Sequence, residues 1–232
     1  MPLVRLDRLL SSRGYCTRSH ARGYLREFEV LVAGVRATRE DAKVDDHADI
    51  TIDGEPIDPP RILVMMNKPL GTVCSHDDGE GELVYDLLPE RWMQRNPTVT
   101  TVGRLDKDTS GLLLITDDGP LVHRLTSPKK HVPKVYLATL AVALRGHEAD
   151  LFASGTMTLH DDPKPLLPAT LEIIDPKTVR LTILEGRYHQ VRRMFGAAAN
   201  RVMTLHRERF GSLELGELKP GEWRTLTDAE LP

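Results

Sequence analysis

Asp106 is the first residue whose position suggests chemistry. It lies in residues 102–119, VGRLDKDTSGLLLITDDG, where it follows Gly103 and Arg104 and comes shortly before an apolar run. A carboxylate beside an arginine stays ionised, because the positive charge favours its charged form. Such a group could act as a nucleophile or a general base, although a loop aspartate can also simply cap a turn. The glycine, which permits close backbone approach, and the apolar run, which would anchor the loop, favour chemistry.

A metal site is the main competing interpretation of this segment. DKDTSG matches, by residue type, the Asp-x-Asp-x-Thr pattern of magnesium-dependent aspartyl-phosphate phosphatases. That pattern needs an apolar strand immediately before the first aspartate, but the preceding residues TTVGRL include a glycine and an arginine. The nine histidines are scattered and form no His-x-x-x-His pair that would indicate zinc. We therefore expect no metal and no other cofactor.

Two further segments carry side chains suited to a nucleotide. Tyr136 lies in KVYLATL, where a tyrosine either packs in the core or offers a flat surface to a flipped base. The segment EGRYHQVRRMF holds Arg187, His189, Arg192 and Arg193. Its glycine-led turn into a basic helix suits a phosphate or carboxylate partner, so an arginine held there could pair with an aspartate.

The distribution of charge is more informative than its sum. A net charge of −3 over 232 residues argues against nucleic acid when taken alone. However, six arginines lie between Arg5 and Arg26 and six between Arg187 and Arg209, each run with a single acidic residue. Residues 27–58 reverse the balance with ten acidic residues. One such run is usually a solvated face, whereas two of them make contact with nucleic-acid phosphates an equal alternative.

Sequence features that would direct the chain to a membrane or an oxidising compartment are missing. No window approaches the roughly 18 consecutive apolar residues that a membrane helix needs. The N-terminal residues MPLVRLDRLL have no apolar core of the kind found in signal peptides. Cys16 and Cys74 lie far apart and are expected to be unpaired thiols. We expect a cytoplasmic protein without membrane contact.

The first 58 residues have the pattern of a small α/β module. VRLDRLLSSRGYC places leucines at helical spacing, and TRSHARGYLREF indicates a second helix with Thr17 as its N-cap. Arg18, Arg22 and Arg26 would form one basic stripe, because they are four residues apart. VLVAGVRA and DITIDGEPI indicate strands, the second with an Asp-Gly turn signal. IDPPR then suits a linker, which places the predicted domain boundary after residue 58.

Residues 59–232 are predicted to form a second domain of mixed, mostly antiparallel α+β class. Strands are indicated by five segments: RILVMMNKPLG, GLLLITDDG, KVYLATLAVAL, ATLEIID and TVRLTILEG. Helices are expected near residues 83–88, 121–125, 148–155 and 189–200. The absence of a regular alternation of strand and helix argues against a parallel sheet.

Together these segments resemble the pseudouridine synthases that modify ribosomal RNA. The resemblance rests on GRLDKDTSGLLLITDDG, with NKPLGTVCS, SPKKHVPKVYLATL and LTILEGRYHQVRRMF in the expected order. The first 58 residues resemble the small RNA-binding domain named after ribosomal protein S-four. With LHRERFG and little beyond GEWRTLT, the chain most resembles the branch that acts on small-subunit RNA.

The resemblance implies roles for the matching residues. It implies that Asp106 is the essential carboxylate and that Tyr136 stacks on the target base. Arg192, or else its neighbour Arg193, would pair with the aspartate. The apolar wall of the pocket would come from Leu181 or Ile183.

Two groups of residues complete the expected site. The substrate pocket is expected to contain Arg104, Leu181 and Arg193. The residues expected to bind RNA have positive or hydrogen-bonding side chains and lie in or near the segments that carry the resemblance. They are Arg5, Arg18, Arg22, Arg26, Lys68, Arg187 and His189. The N-terminal stripe would hold phosphates and set orientation without reading bases.

The implied reaction needs no cofactor. The N1–C1′ bond of uridine breaks, the uracil turns, and its C5 atom bonds to C1′. The carboxylate could trap an oxocarbenium-like sugar, or it could remove the 2′ proton as a general base. The expected partner is ribosomal RNA or a partly assembled small ribosomal subunit, and the expected state is a monomer. The alternatives are the same chemistry on large-subunit RNA and a noncatalytic RNA-binding or ribosome-assembly factor.

Overall fold

The computed structural model describes residues 3–232, which pack as two compact units. The first unit contains the chain up to Leu63 together with Leu88–Thr100 and Ile115–Gly119. The second contains Val64–Leu87, Thr101–Leu114 and Pro120–Pro232. The boundary after residue 58 remains a prediction about independent domains. None of the described helices has the length and hydropathy needed to cross a membrane.

The N-terminal part of the first unit combines two helices with short strands. Its elements are β1 Leu3–Arg5, α1 Leu6–Ser12, α2 Ala21–Glu27, β2 Val30–Val32, β3 Val35–Arg36, β4 Lys43–Asp45, β5 Ile50–Ile52 and β6 Glu55–Pro56. β1 pairs with β4, and the order β3-β2-β5-β6 forms a four-stranded antiparallel sheet. The leucines expected on the inner face of the first helix, Leu6, Leu9 and Leu10, are buried and pack with Leu25.

The second helix begins later than the sequence suggested. A 3-10 turn, Arg18–His20, precedes α2, so Arg18 lies outside the α-helix. Thr17 takes the N-cap position of this turn, and its carbonyl accepts the N–H of His20 at 3.0 Å, but its side chain does not make the expected cap. Its hydroxyl lies 2.6 Å from the Nδ1 atom of His20 and makes no capping bond to a backbone N–H. The imidazole competes with the backbone for this hydroxyl, which is a contact that a local spacing rule does not include.

The remaining strands build a nine-stranded mixed sheet, with three helices among them. The elements are β7 Leu63–Lys68, β8 Thr100–Thr101, β9 Thr109–Thr116, α3 Gly119–Thr126, β10 Lys134–Leu140, α4 Glu148–Ala153, β11 Thr170–Ile173, β12 Thr178–Ile183, α5 Gln190–Ala197, β13 Val202–Phe210, β14 Leu213–Glu214 and β15 Trp223–Thr225. The expected helix near residues 83–88 is a short 3-10 helix, Val84–Leu87.

The order of the sheet confirms the mixed, mostly antiparallel α+β class. The strands follow one another as β11-β12-β10-β13-β9-β7-β15, with β14 on β13 and β8 on β9. β10 pairs antiparallel with both β12 and β13, whereas β13 pairs parallel with β9. This parallel pair places the strand after the Asp106 loop beside a strand from the end of the chain.

β13 is the element that the sequence analysis missed. Its residues belong to a basic run and to the segment LHRERFG, from which no strand is predicted, yet it lies at the centre of the sheet between β10 and β9. Register shifts between Val135 and Tyr136 and between Thr139 and Leu140 interrupt its pairing with β10. Buried residues therefore do not alternate regularly along β13, and the period of two that identifies a half-buried strand is weak.

Candidate active site

The Asp106 loop connects β8 to β9 and presents its carboxylate to a recess in the second unit. Gly103 has φ +70°, a left-handed conformation that a side chain disfavours, and Leu105 is buried. The Asp106 carbonyl accepts the N–H of Thr109 at 3.0 Å, which closes the turn before β9. The Asp106 side chain is 32% exposed, so it is accessible from the recess but partly shielded.

Three strands provide the floor of the recess. Tyr136 on β10 lies opposite Leu181 on β12 and Arg207 on β13, and partners in register project to the same face of a sheet. Tyr136 is buried and lines the recess. Of the two candidates for the apolar wall, Ile183 lines the recess, while Leu181 is fully buried on the same face. The pocket position expected for Leu181 is therefore occupied by Ile183, two residues further along β12.

Arg207 is the site residue that sequence reasoning missed. It is 2% exposed, its Nε donates to the Leu112 carbonyl at 2.7 Å, and its Nη1 lies 3.4 Å from the Tyr136 hydroxyl. Gly111 lies opposite it on β9 with φ +111°, and a Cβ atom there would overlap the Arg207 backbone. The glycine therefore lets β9 and β13 approach closely enough to carry Arg207 into the recess. One sequence signal could have identified Arg207. It lies two residues after Leu205, in a segment that could be a strand.

His189 is the ion-pair partner that the structure gives Asp106. Its Nε2 lies 3.3 Å from Asp106 Oδ1, and the contact becomes an ion pair when the imidazole is protonated. His189 precedes α5 with φ +48°, and its ring stacks on Tyr188 with centroids 3.8 Å apart. The tight turn before the helix thus directs the imidazole to the Asp106 loop. His189 was expected to contact RNA, and here it contacts the carboxylate.

Arg192 lines the recess but does not make the expected pair with Asp106. Among the described residues its ion pair is with Asp108, at 2.9 Å from Nη2 to Oδ2, and Nη2 also donates to the Asp108 carbonyl at 2.9 Å. Its Nη1 donates to the Val202 carbonyl at 3.3 Å. These backbone acceptors fix the guanidinium at the end of the turn that follows Asp106. The expected Asp106–Arg192 pair is thus replaced by an Asp108–Arg192 pair.

Arg193 faces away from this recess. Its guanidinium donates to the carbonyls of Tyr188 and His160. It is absent from the residues that line the recess in the described chain. The expected pocket role for Arg193 is not what this structure gives, because the helix turns its side chain toward a neighbouring loop. Arg104, by contrast, is exposed and lines the recess as expected.

Lys68 and Arg187 were expected to bind RNA, but their side chains are engaged within the fold. Lys68 is fully buried, and its Nζ donates to the carbonyls of Pro69 and Thr109 at 3.0 and 2.9 Å. Burial lowers the pKa of Lys68. The RNA-binding role of Lys68 is therefore wrong for this structure, because a phosphate cannot reach the amine. Arg187 pairs with Asp162 at 2.9 Å and with Glu185 at 3.0 Å, which holds the turn before α5.

Lys134 is a second basic group that the sequence analysis did not select. It lines the recess, its Nζ donates to the Val132 carbonyl at 3.1 Å, and it lies 5.5 Å from the centre of the Phe210 ring. Burial, followed by the positive charge of Arg207, lowers the pKa of Lys134 to about 8. The recess thus combines the Asp106 carboxylate, a Glu185 that pairs with Arg187, and several further cations, which suits a reaction on an anionic polymer.

The four arginines expected on the N-terminal module lie in the first unit. Arg5 donates to both carboxylate oxygens of Asp7 at 3.1 and 2.9 Å, and Arg18 lies 3.6 Å from the same carboxylate. Arg22 and Arg26 are exposed on α2. Arg22 and Arg26 therefore keep their expected exposure, while Arg5 and Arg18 share a carboxylate.

Comparison with known proteins shows the family of the chain. Residues 62–197 match the family model described as RNA pseudouridylate synthase. Proteins called ribosomal small subunit pseudouridine synthase A from Pasteurella multocida and from Escherichia coli (strain K12) are each 42% identical to this chain, over 98% of both sequences. The chain belongs to the pseudouridine synthase family. A solved structure titled crystal structure of pseudouridylate synthase matches 98% of this chain and 97% of its own, with a TM-score of 0.68 and 39% identity.

Membership of the pseudouridine synthase family decides between the interpretations of DKDTSG. The segment belongs to the loop of an RNA-modifying isomerase, so the magnesium phosphatase interpretation is wrong. Within residues 3–232, the structure groups no three His, Cys, Asp or Glu side chains in a way that could hold a metal ion.

Proposed function

We propose that this pseudouridine synthase converts uridine to pseudouridine in the RNA of the small ribosomal subunit. The relatives that are 42% identical over 98% of the chain carry the name ribosomal small subunit pseudouridine synthase A. The observation that carries the proposal is the juxtaposition of the accessible Asp106 carboxylate and the Tyr136 ring in one cation-lined recess. A noncatalytic RNA-binding factor would not need a carboxylate directed at an RNA substrate.

Asp106 is proposed as the catalytic carboxylate. Breaking the N1–C1′ bond leaves a sugar with oxocarbenium character, which an ionised carboxylate can trap or stabilise. The same carboxylate could instead remove the 2′ proton and give a glycal. Both roles require the ionised form, and the nearest basic side chain is that of His189, whose Nε2 lies 3.3 Å from Asp106 Oδ1.

Tyr136 is proposed to hold the uracil while it turns. The target base must leave its stack, which costs about a few kcal/mol, and stacking on an aromatic ring recovers part of this cost. Tyr136 is fixed by its strand and by Arg207, so little side-chain freedom remains to be lost on binding. Ile183 offers an apolar surface beside it.

Outside the recess, exposed arginines are proposed to bind RNA phosphates. Arg22 and Arg26 on α2 are the clearest candidates, because they are exposed and no ion pair engages them among the described residues. Phosphate contacts of this kind set the register of an RNA without reading its sequence. We also propose that the enzyme acts in the cytoplasm and that it is a monomer. Light scattering of the purified protein would test the monomeric state.

A tritium-release assay tests the proposed function. RNA of the small and the large subunit, each labelled with tritium at uridine C5, is incubated separately with the enzyme in EDTA. C5 loses its hydrogen only when it bonds to C1′, so release reports the complete isomerisation. Release from small-subunit RNA alone supports the proposal, and release from large-subunit RNA alone overturns the choice of substrate. No release from either RNA, or from partly assembled subunits, overturns catalysis.

A further inference from the structure

Several residues that line the recess carry a buried polar atom without a hydrogen-bond partner. Among the described residues, Arg207 Nη2, Arg192 Nε and Thr109 Oγ1 are buried without a hydrogen-bond partner, and all three residues line the recess. A buried donor without a partner destabilises the folded chain, so native proteins keep few of them. Because the recess is open to a substrate, a bound ligand could supply partners for these three atoms.

Arg207 is the best placed of the three to meet a base. Nη1 of its guanidinium reaches the hydroxyl of Tyr136, the residue proposed to stack on the uracil, and Nη2 belongs to the same planar group. Its charge has no carboxylate partner within ion-pair distance in the part of the chain that the structure describes. An unpaired cation with a free donor suits an oxygen atom that becomes negatively charged.

The reaction produces such an atom. When the N1–C1′ bond breaks, the electron pair of the bond stays on N1, and the uracil becomes an anion whose charge spreads to its carbonyl oxygens. When C5 later bonds to C1′, C5 loses its proton and N1 gains one, so no atom is gained or lost overall. A cation near a carbonyl oxygen stabilises the anionic stage more than the bound uridine.

We propose that Arg207 is a catalytic residue that donates a hydrogen bond to a carbonyl oxygen of the target uracil and stabilises the uracil anion. The inference rests on the proposed function, because it needs a uridine in this recess. The competing explanation is structural: Arg207 would only hold β9 through the Leu112 carbonyl and position Tyr136.

Three variants separate the explanations. Arg207→Met removes the charge and the donors, Arg207→Lys keeps a charge, and Tyr136→Phe removes only the hydroxyl that Arg207 contacts. Arg180→Met is the matched control, because Arg180 lies opposite Leu137 in the β10–β12 register and pairs with Glu208. That position projects to the other face of the sheet.

Single-turnover rates are measured on RNA that wild-type enzyme modifies, with RNA affinity and thermal unfolding recorded for each variant. We expect Arg207→Met to lower the rate by about 10²–10³-fold, as the loss of one donor to a developing anion does. Arg207→Lys and Tyr136→Phe should each lose less than Arg207→Met, and the control Arg180→Met should remain close to wild type. A loss in Tyr136→Phe equal to that in Arg207→Met would overturn the proposal, since Arg207 would then act through the tyrosine.

A substrate with a better leaving group provides the decisive measurement. RNA containing 5-fluorouridine forms a more stable base anion, because fluorine withdraws electrons. We expect the loss in Arg207→Met, measured by mass spectrometry as disappearance of the N1-linked nucleoside, to be several-fold smaller on this RNA. An equal loss on both RNAs, or no loss on either, would contradict the proposal.

The results distinguish failure of the role of Arg207 from failure of the proposed function. If Arg207→Met does not fold, the same comparison of two substrates with Arg207→Lys decides the role. Inactivity of the wild-type enzyme on every RNA would overturn the proposed function and this inference together. An active wild type with equal losses on both substrates would overturn only the role of Arg207.

Discussion

Arg13 in the first unit and Arg207 in the second are equally buried but have different surroundings. Arg13 is 3% exposed, pairs with Asp46 at 3.1 Å and donates to the Asp58 carbonyl at 3.1 Å. Arg207 is 2% exposed, has no carboxylate partner among the described residues, and keeps a free donor. Arg95 has one unpaired N–H, but its charge is matched by Asp117 at 2.8 Å. The difference indicates that the first unit uses buried arginines for its own structure, whereas the recess keeps one available for a substrate.

The largest effect is expected at the carboxylate of the recess. Asp106→Asn preserves size and removes charge, so we expect the tritium-release rate to fall by at least about 10³-fold, as for other essential catalytic groups. RNA affinity and the unfolding temperature should stay near wild-type values. Asp108→Asn is the neighbouring control, since it alters the partner of Arg192 and leaves the proposed catalytic carboxylate in place. Substantial activity in Asp106→Asn would remove this residue from the mechanism.

Substituting the two buried arginines should separate stability from activity. Arg13→Met leaves Asp46 without its partner, and we expect a loss of about 2 kcal/mol in unfolding free energy, less than for a fully buried pair because Asp46 is partly exposed. Arg207→Met also removes an unpaired buried charge, so we expect a smaller loss of stability and the larger loss of activity. Urea unfolding of both variants checks this. If Arg207→Met lost more stability than Arg13→Met, or Arg13→Met lost more activity than Arg207→Met, the difference between the two units would be wrong.

Lys134 should give the recess a pH-dependent effect on stability. Burial and then Arg207 lower the pKa of Lys134 to about 8 in the folded chain, from an ordinary value of 10.5. The unfolded chain therefore holds more protons between these two values, and stability should rise with pH across that window. In Lys134→Met this rise should be smaller. Urea unfolding at pH values below and within the window measures this rise in stability. Lys177→Met, at an exposed position, is the control. Identical pH profiles of unfolding free energy for Lys134→Met and wild type would contradict the prediction.

The smallest effect is expected for the exposed arginines of α2. Replacing Arg22 and Arg26 by glutamine should weaken RNA binding several-fold and lower the slope of log affinity against log salt by about 1–2, since each phosphate contact contributes about 0.7–0.9. The single-turnover rate at saturating RNA should not change. Filter binding across a salt series measures the slope. An unchanged slope would mean that these arginines do not contact phosphates.

The sequence was most informative where a signal is local. Continuous apolar runs predicted the buried strands β7 and β9, and leucines at helical spacing predicted α1 with its inner face. Predictions failed where another part of the chain competes. The ring of His20 takes the hydroxyl that was expected to cap α2. Interruptions in the pairing with β10 hide the period of β13.

The sequence by itself determined the family, the α+β class and the motif around Asp106, because these depend on residue types in a fixed order along the chain. Only the tertiary structure decided which cations meet which carboxylates. Arg192 pairs with Asp108, His189 contacts Asp106, and Lys68 is buried beneath the loop. Arg207 lies 71 residues from Tyr136 and faces it across the antiparallel β10–β13 pair, while Gly111 permits the parallel pair of β13 with β9. Such contacts depend on strand order and register, which join distant residues and leave no short-range pattern in the sequence.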